Sequence, residues 1–224
     1  MISRRTALAA ALLAVLTALS GCAALPGARS APDALEGDGP IVAFYGDSYT
    51  LGTGASDLSL RWSTQIAVSR GWREFNPSVN GLGFVTNRQS FADDDLPAQI
   101  IAQKPDIVFV TMGLNDNFSY DFAADQIVQQ IDADFERLTT GLPDARFIVV
   151  EPFWYTAERP ESVEMIIEWV REAAHKYGAD YIAGASTWIE GQTGLMASDG
   201  LHPNDEGYAI MARLMDEALG DLGL

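Results

Sequence analysis

The chain has 224 residues, with 31 acidic against 14 basic side chains, a formal charge of −17, one Cys and two His. A surface this acidic repels phosphate backbones and anionic headgroups, which argues against nucleic acid as a partner and against electrostatic membrane binding. One Cys and two His offer no cluster of zinc ligands, and no metal is expected.

In chain order, the first signal is one of export. Ser3-Arg4-Arg5 is basic, and the run 7–19 is uncharged and mostly apolar. That run is shorter than the roughly 20 residues a membrane-spanning helix needs, so it reads as a signal-peptide core. It ends in Leu19-Ser20-Gly21-Cys22, which resembles a bacterial lipobox. The expectation is a lipoprotein signal peptide over 1–21 and a lipid on Cys22. The protein would then be exported and anchored at the outer face of the bacterial cell membrane or in the cell envelope. The general secretory and twin-arginine routes both stay open, although the residues after the paired arginines fit the second poorly. Loss of Arg4 and Arg5 with the signal takes the formal charge from −17 to −19. Residues 22–40 are rich in Ala, Gly and Pro without a period, and read as a flexible tether. Fully extended, positions 23–40 would reach about 60 Å at 3.3 Å per residue.

Residues 41–224 contain no second linker and no repeat, and one domain of this size can bury a substantial core. Apolar runs predict strands at 41–45, 106–112, 147–151 and 181–183, with a weaker one at 74–79. Helical patterns occupy 60–70, 96–103, 123–140, 162–177 and 205–222. Strands alternating with helices imply a parallel sheet with helices on both faces. The runs I-V-A-F-Y and I-V-F-V-T are continuously apolar, as strands buried on both faces require. Asp93-Asp94-Asp95 before Pro97 fits a helix start better than a calcium loop, since no spaced oxygen ligands surround it. Gly141-Leu142-Pro143 reads as a helix end.

In a doubly wound sheet, ligands sit beyond the carboxyl ends of the strands, where the strand order reverses. After the first strand comes Gly46-Asp47-Ser48; after the second, Asn76-Pro-Ser-Val-Asn-Gly81-Leu-Gly83; after the third, Gly113-Leu114-Asn115-Asp116. Asp199-Gly-Leu-His202-Pro203 precedes the last helix. In a 2-1-3-4-5 strand order these segments converge on one crevice. Ser48 is a turn residue or a nucleophile, and a serine hydroxyl is a weak nucleophile without a base to take its proton. His175 sits near a helix C-terminus, where its charge alone accounts for it. His202 lies three residues after Asp199, a spacing that lets the carboxylate hold one ring nitrogen and leave the other free. The Ser48 and Gly81 backbone N–H groups and the Asn115 amide are three donors of the oxyanion-hole kind. Each also has a bland reading, Asn80-Gly81 as a turn and Asn115 as a helix cap.

Taken together, the four segments resemble the signature blocks of the SGNH (GDSL-type) hydrolases, esterases and lipases with a flavodoxin-like three-layer α/β/α fold. The resemblance covers essentially all of 41–224 and implies a five-stranded parallel sheet in the order 2-1-3-4-5. It implies Ser48 as nucleophile, His202 as general base and Asp199 as its orienter. Ser48, Gly81 and Asn115 would form the oxyanion hole, and Asp47 and Asp116 would be supports. Gly83 competes with Gly81 for the hole, and Tyr49 replaces the Leu of the longer G-D-S-L form. No cofactor is implied. The implied function is a serine esterase acting through an acyl-enzyme, and a monomer is expected. Short-chain acyl or O-acetyl carbohydrate esters come first as substrates and lipid esters second. Phe153, Trp154 and Tyr155 line a substrate pocket or pack beneath a loop, and 186–196 is the segment best placed to cover the site. The rival is a non-catalytic envelope lipoprotein of the same fold. It has no reason to keep nucleophile and base together. A flavin-binding reading is disfavoured because Asp47 puts a carboxylate where a phosphate would sit.

Overall fold

The computed structural model describes residues 37–91, 94–190 and 192–224. The signal-peptide, Cys22 and most of the tether readings lie outside these residues, as does Asp93. Five strands, β1 (Ile41–Tyr45), β2 (Arg73–Phe75), β3 (Ile107–Val110), β4 (Arg146–Val150) and β5 (Asp180–Ile182), form one parallel sheet in the order β2-β1-β3-β4-β5. The helices are α1 (Ser48–Leu51), α2 (Trp62–Ser69), α3 (Leu96–Gln103), α4 (Tyr120–Gly141), α5 (Glu161–Lys176) and α6 (Asp205–Asp221). This is the expected flavodoxin-like three-layer arrangement.

The layers follow from the strands' period of two. Val42, Phe44, Ile107, Phe109, Ile148 and Val150 pack with Trp62 and Ile66 of α2 and Met211 and Met215 of α6. Their neighbours Ala43, Tyr45, Val108, Val110 and Val149 pack with Ile100 of α3, Ile127 and Ile131 of α4 and Val170 of α5. Both faces of the central strands are thus dry, which is why their sequence is continuously apolar. Phe44 stacks on Phe109 at 5.1 Å and meets Trp62 edge-on at 5.4 Å.

Several elements depart from expectation for local reasons. β2 occupies 73–75 rather than 74–79, because Asn76 leaves the ladder. Its side-chain oxygen accepts from Ser78 N (3.2 Å) and its amide reaches across to Thr50 O (2.8 Å). Helix α4 begins three residues early, after a 3-10 segment over Leu114–Ser119. Gly141 ends α4 as a helical residue rather than as a left-handed cap. Its missing Cβ makes room for Ile101, whose Cδ1 would lie 2.9 Å from it. Asp95 does cap α3, accepting from Ala98 N at 3.1 Å.

All five strands start at one end of the sheet and finish at the other. Ile41 opens β1 at the first end, where Asp106 accepts its backbone N–H at 2.7 Å. His175 lies in the last turn of α5, immediately before β5 starts, and so also at that end. Ser48, Asn115 and Glu151 all follow strand finishes. Among the described residues no helix is long and apolar enough to cross a membrane.

Candidate active site

Ser48 is the first residue of α1, a four-residue helix that the sequence patterns did not reveal. Asp47 caps it, accepting from Tyr49 N at 3.0 Å. Helices this short leave nearly every backbone group without an intrahelical partner. At the start, the Ser48 N–H has no hydrogen-bond partner among the described residues. At the far end, three consecutive residues supply the missing donors. Trp62 Nε1 donates to Tyr49 O (3.1 Å), Ser63 Oγ to Thr50 O (3.3 Å) and the Arg61 guanidinium to Leu51 O (3.1 Å). Asn76 adds a second bond to Thr50 O. Arg61 is fully buried and is balanced by Glu74, 3.2 Å away on β2. The serine turn is therefore held from below by α2 and β2.

The Asp47 carboxylate is buried, and burial pushes its pKa up to about 7, against the lowering effect of the Tyr49 N–H. Its second oxygen accepts from Asn115 Nδ2 at 3.2 Å, and the same amide donates to Leu82 O at 3.0 Å. Asn115 is thereby fixed between the β1 and β2 loops, with both amide hydrogens engaged. Its neighbour Asp116 accepts from Phe84 N (2.7 Å), Val85 N (2.9 Å) and Thr86 N (3.1 Å). Burial raises the Asp116 pKa, and those three N–H groups offset part of the rise.

The two glycines of the second block have different jobs. A Cβ on Gly83 would lie 2.5 Å from Asp116 Oδ1, and the Gly83 N–H is already committed to Thr86 O at 2.9 Å. Gly81 has φ +71°, and its N–H has no partner among the described residues. Of the two, Gly81 is the one with a donor to offer.

Asp199 grips the histidine segment at three points. One carboxylate oxygen accepts from Leu201 N (2.9 Å) and His202 N (3.0 Å), and the other pairs with His202 Nδ1 at 2.7 Å. The imidazole bond, followed by the backbone N–H groups, holds the Asp199 pKa down at about 2. The imidazole ring lies 6.0 Å from the ring of Tyr49, the residue after Ser48, and Tyr49 Oη donates to Leu201 O at 2.6 Å. No hydrogen bond among the described residues joins Ser48 Oγ to the imidazole. The 192–197 stretch is tied to the same segment through Asn204 Nδ2 to Gly194 O (2.6 Å) and Ala197 N to His202 O (2.8 Å).

Phe153 and Trp154 belong to the core, at 2% and 3% exposure, whereas Tyr155 is half-buried. Phe153 stacks on Tyr49 at 5.7 Å, and Trp154 Nε1 donates to Thr156 Oγ1 and Glu158 O. Of the three residues expected at a pocket, Tyr155 alone keeps surface to present. Glu151 binds the next loop instead, accepting from Gly184 N and Ser186 N. Among the described residues no group of three or more His, Cys, Asp or Glu is arranged to hold a metal ion.

A model of the GDSL-like lipase/acylhydrolase family matches residues 44–210. The chain belongs to that family. It is accordingly a carboxylic ester hydrolase. A GDSL lipase of Mycobacterium tuberculosis is 27% identical over 179 residues, covering 76% of this chain and 78% of that protein. Among solved structures, the esterase EstA from Pseudoalteromonas sp. superposes with a TM-score of 0.67 at 17% identity, over 82% of this chain and 98% of its own. The acetylxylan esterase Axe2 from Geobacillus stearothermophilus gives 0.60 at 20% identity, over 82% and 95%.

Sequence reasoning missed the Arg61-Trp62-Ser63 clamp and the place of Tyr49 between the serine and histidine segments. The available signal was composition: an Arg, a Trp and a Ser at the very start of a helix, where no amphipathic pattern asks for them.

Proposed function

We propose that the chain is a serine esterase in which Ser48 attacks the ester carbonyl, His202 takes the serine proton and passes it to the leaving alcohol, and water then hydrolyses the acyl-enzyme. Asp199 orients the imidazole and stabilises its charged form. The oxyanion is held by the Ser48 and Gly81 N–H groups and by Asn115, whose amide gives up its longer, 3.2 Å bond to Asp47 as charge develops. The observation that carries this reading is the 2.7 Å bond between His202 Nδ1 and Asp199, which leaves Nε2 for catalysis on a ring beside Tyr49. His175, at the opposite end of the sheet, has no such role.

Short-chain acyl and O-acetyl carbohydrate esters are the favoured substrates, with lipid esters second. The acidic surface favours neutral substrates, and the likeness in fold to an acetylxylan esterase points the same way. The protein acts as a monomer, exported and tethered through a lipid on Cys22. The deciding experiment is hydrolysis of p-nitrophenyl acetate by the wild type, Ser48→Ala and His202→Ala. Both variants should fold and lose at least about 10³-fold in kcat. Undiminished turnover by Ser48→Ala removes the assignment.

A further inference from the structure

A groove of about 590 Å³ lies between the 84–91 segment and α4, built from side chains that the reaction above does not use. Gln126, Gln129 and Gln130 line one wall, spaced so that they share a single helix face. Gln89 and Phe91 contribute from the opposite side. The volume lies within the range of small-molecule sites.

The wall chemistry narrows the ligand. Among the described residues a cation finds no carboxylate in the lining, although acidic residues outnumber basic ones two to one over the chain. An anion finds Arg88, the one charged residue of the lining among the described residues, with both terminal nitrogens already committed. They donate to Tyr45 Oη (3.0 Å), Asp134 (2.5 and 2.7 Å) and Asp95 (2.7 Å). An acyl chain would strip water from four amides and return no hydrogen bonds, which is costly. What remains is a neutral ligand rich in hydroxyls. The Gln89, Gln126 and Gln129 amides have no hydrogen-bond partner among the described residues, and each offers a donor and an acceptor side by side. Gln130 spends only its N–H on Asp134 (3.0 Å) and keeps its carbonyl oxygen. Half-buried Phe91 offers an apolar surface for the C–H faces of a sugar ring.

We propose that this groove is a non-catalytic subsite for a neutral carbohydrate chain. It is built on the loop that also carries Gly81, and Asp116 fastens that loop next to Asn115. Its consequence for turnover, that polymeric acetylated carbohydrates gain over small esters, rests on the esterase reading; binding itself does not.

The test uses the full chain and unacetylated xylo-, cello- and malto-hexaose, followed by calorimetry and by NMR of the glutamine side-chain amides. At least one hexaose should bind. Gln126→Ala/Gln129→Ala should weaken it at least 10-fold while p-nitrophenyl acetate turnover stays unchanged. Gln129→Glu, which keeps the size and adds a charge, should weaken it as well. Oligogalacturonate and decanoate should not compete. If no hexaose binds, if binding ignores both glutamine variants, or if decanoate displaces the sugar, the proposal falls. Ser48→Ala separates the two readings. Retained binding with lost turnover supports both, whereas retained turnover removes the catalytic assignment and leaves the groove standing.

Discussion

Trp62 donates its indole N–H to the carbonyl of Tyr49, one residue past the candidate nucleophile, at 3.1 Å. The residues on either side of Trp62 serve the next two carbonyls. A four-residue helix cannot hold itself, so the position of Ser48 depends on these bonds. Trp62→Phe keeps an aromatic ring and removes the donor. The expected result is a stability loss of about 1–3 kcal/mol and a kcat lowered about 10-fold or more, with KM nearly unchanged. Steady-state kinetics beside urea titrations check this; a KM change with constant kcat would contradict a positioning role.

Asp199→Asn keeps the shape of the turn but exchanges the partner of His202 Nδ1. On p-nitrophenyl acetate, kcat should fall about 10²–10⁴-fold. Because the wild-type pKa is held down at about 2, the carboxylate contributes stability that is present above its ordinary value of 3.8 and is lost as pH falls through 2. The urea midpoints of wild type and variant should therefore differ at pH 6 and converge near pH 2. A constant difference would show that ionisation of Asp199 is not the cause.

Asp47 behaves in the opposite sense. Its pKa is raised by burial to about 7, so its favourable contribution is complete below 3.8 and is lost as pH climbs through 7. The full penalty for the ionised form is on the order of 4 kcal/mol. Asp47→Asn, which can still accept the Tyr49 N–H, should flatten the decline in stability between pH 4 and pH 7. Some slope will persist, because Asp116 and Asp134 are also raised by burial. Chemical denaturation at stepped pH reads this directly.

The two glycines of the second block should separate by assay. Gly83→Ala drives a methyl group into the Asp116 carboxylate and should cost about 2 kcal/mol or more, with activity lost through the displaced loop. Gly81→Ala meets only Asn87 Nδ2 at 3.2 Å, but strains a backbone at φ +71°. Its expected cost is about 1 kcal/mol, with a kcat effect larger than that figure predicts. Equal loss of stability for both would defeat the distinction.

How much of this could be read beforehand depended on the kind of signal each residue carries. β1 and β3 were legible because two dry faces demand an unbroken apolar run. β2 proved shorter than expected because Asn76 turns its amide toward Thr50 O, a cross-loop partner that only the fold supplies. Helix α1 escaped notice because four residues are too few to show a period, and Asp47 looked like part of a turn. The first three blocks were found because each followed a strand, and the fourth because Asp199 and His202 stand three residues apart just before the last helix. Their supports were not, since Trp62 and Asn76 hold the carbonyls of Tyr49 and Thr50, partners that the Arg-Trp-Ser composition at a helix start does not name.

The direction of β1 has a practical consequence. Ile41 opens the strand at one end of the sheet and Ser48 follows its finish, a separation of about 16 Å across five residues. A bead or sensor chip coupled directly at Ile41, in a variant that begins there, would hold the molecule by the end remote from the serine. The opening to the reaction would face the flowing solvent, so immobilised enzyme should keep the KM of the free form. Coupling through side chains near residue 202 would bury that opening against the support.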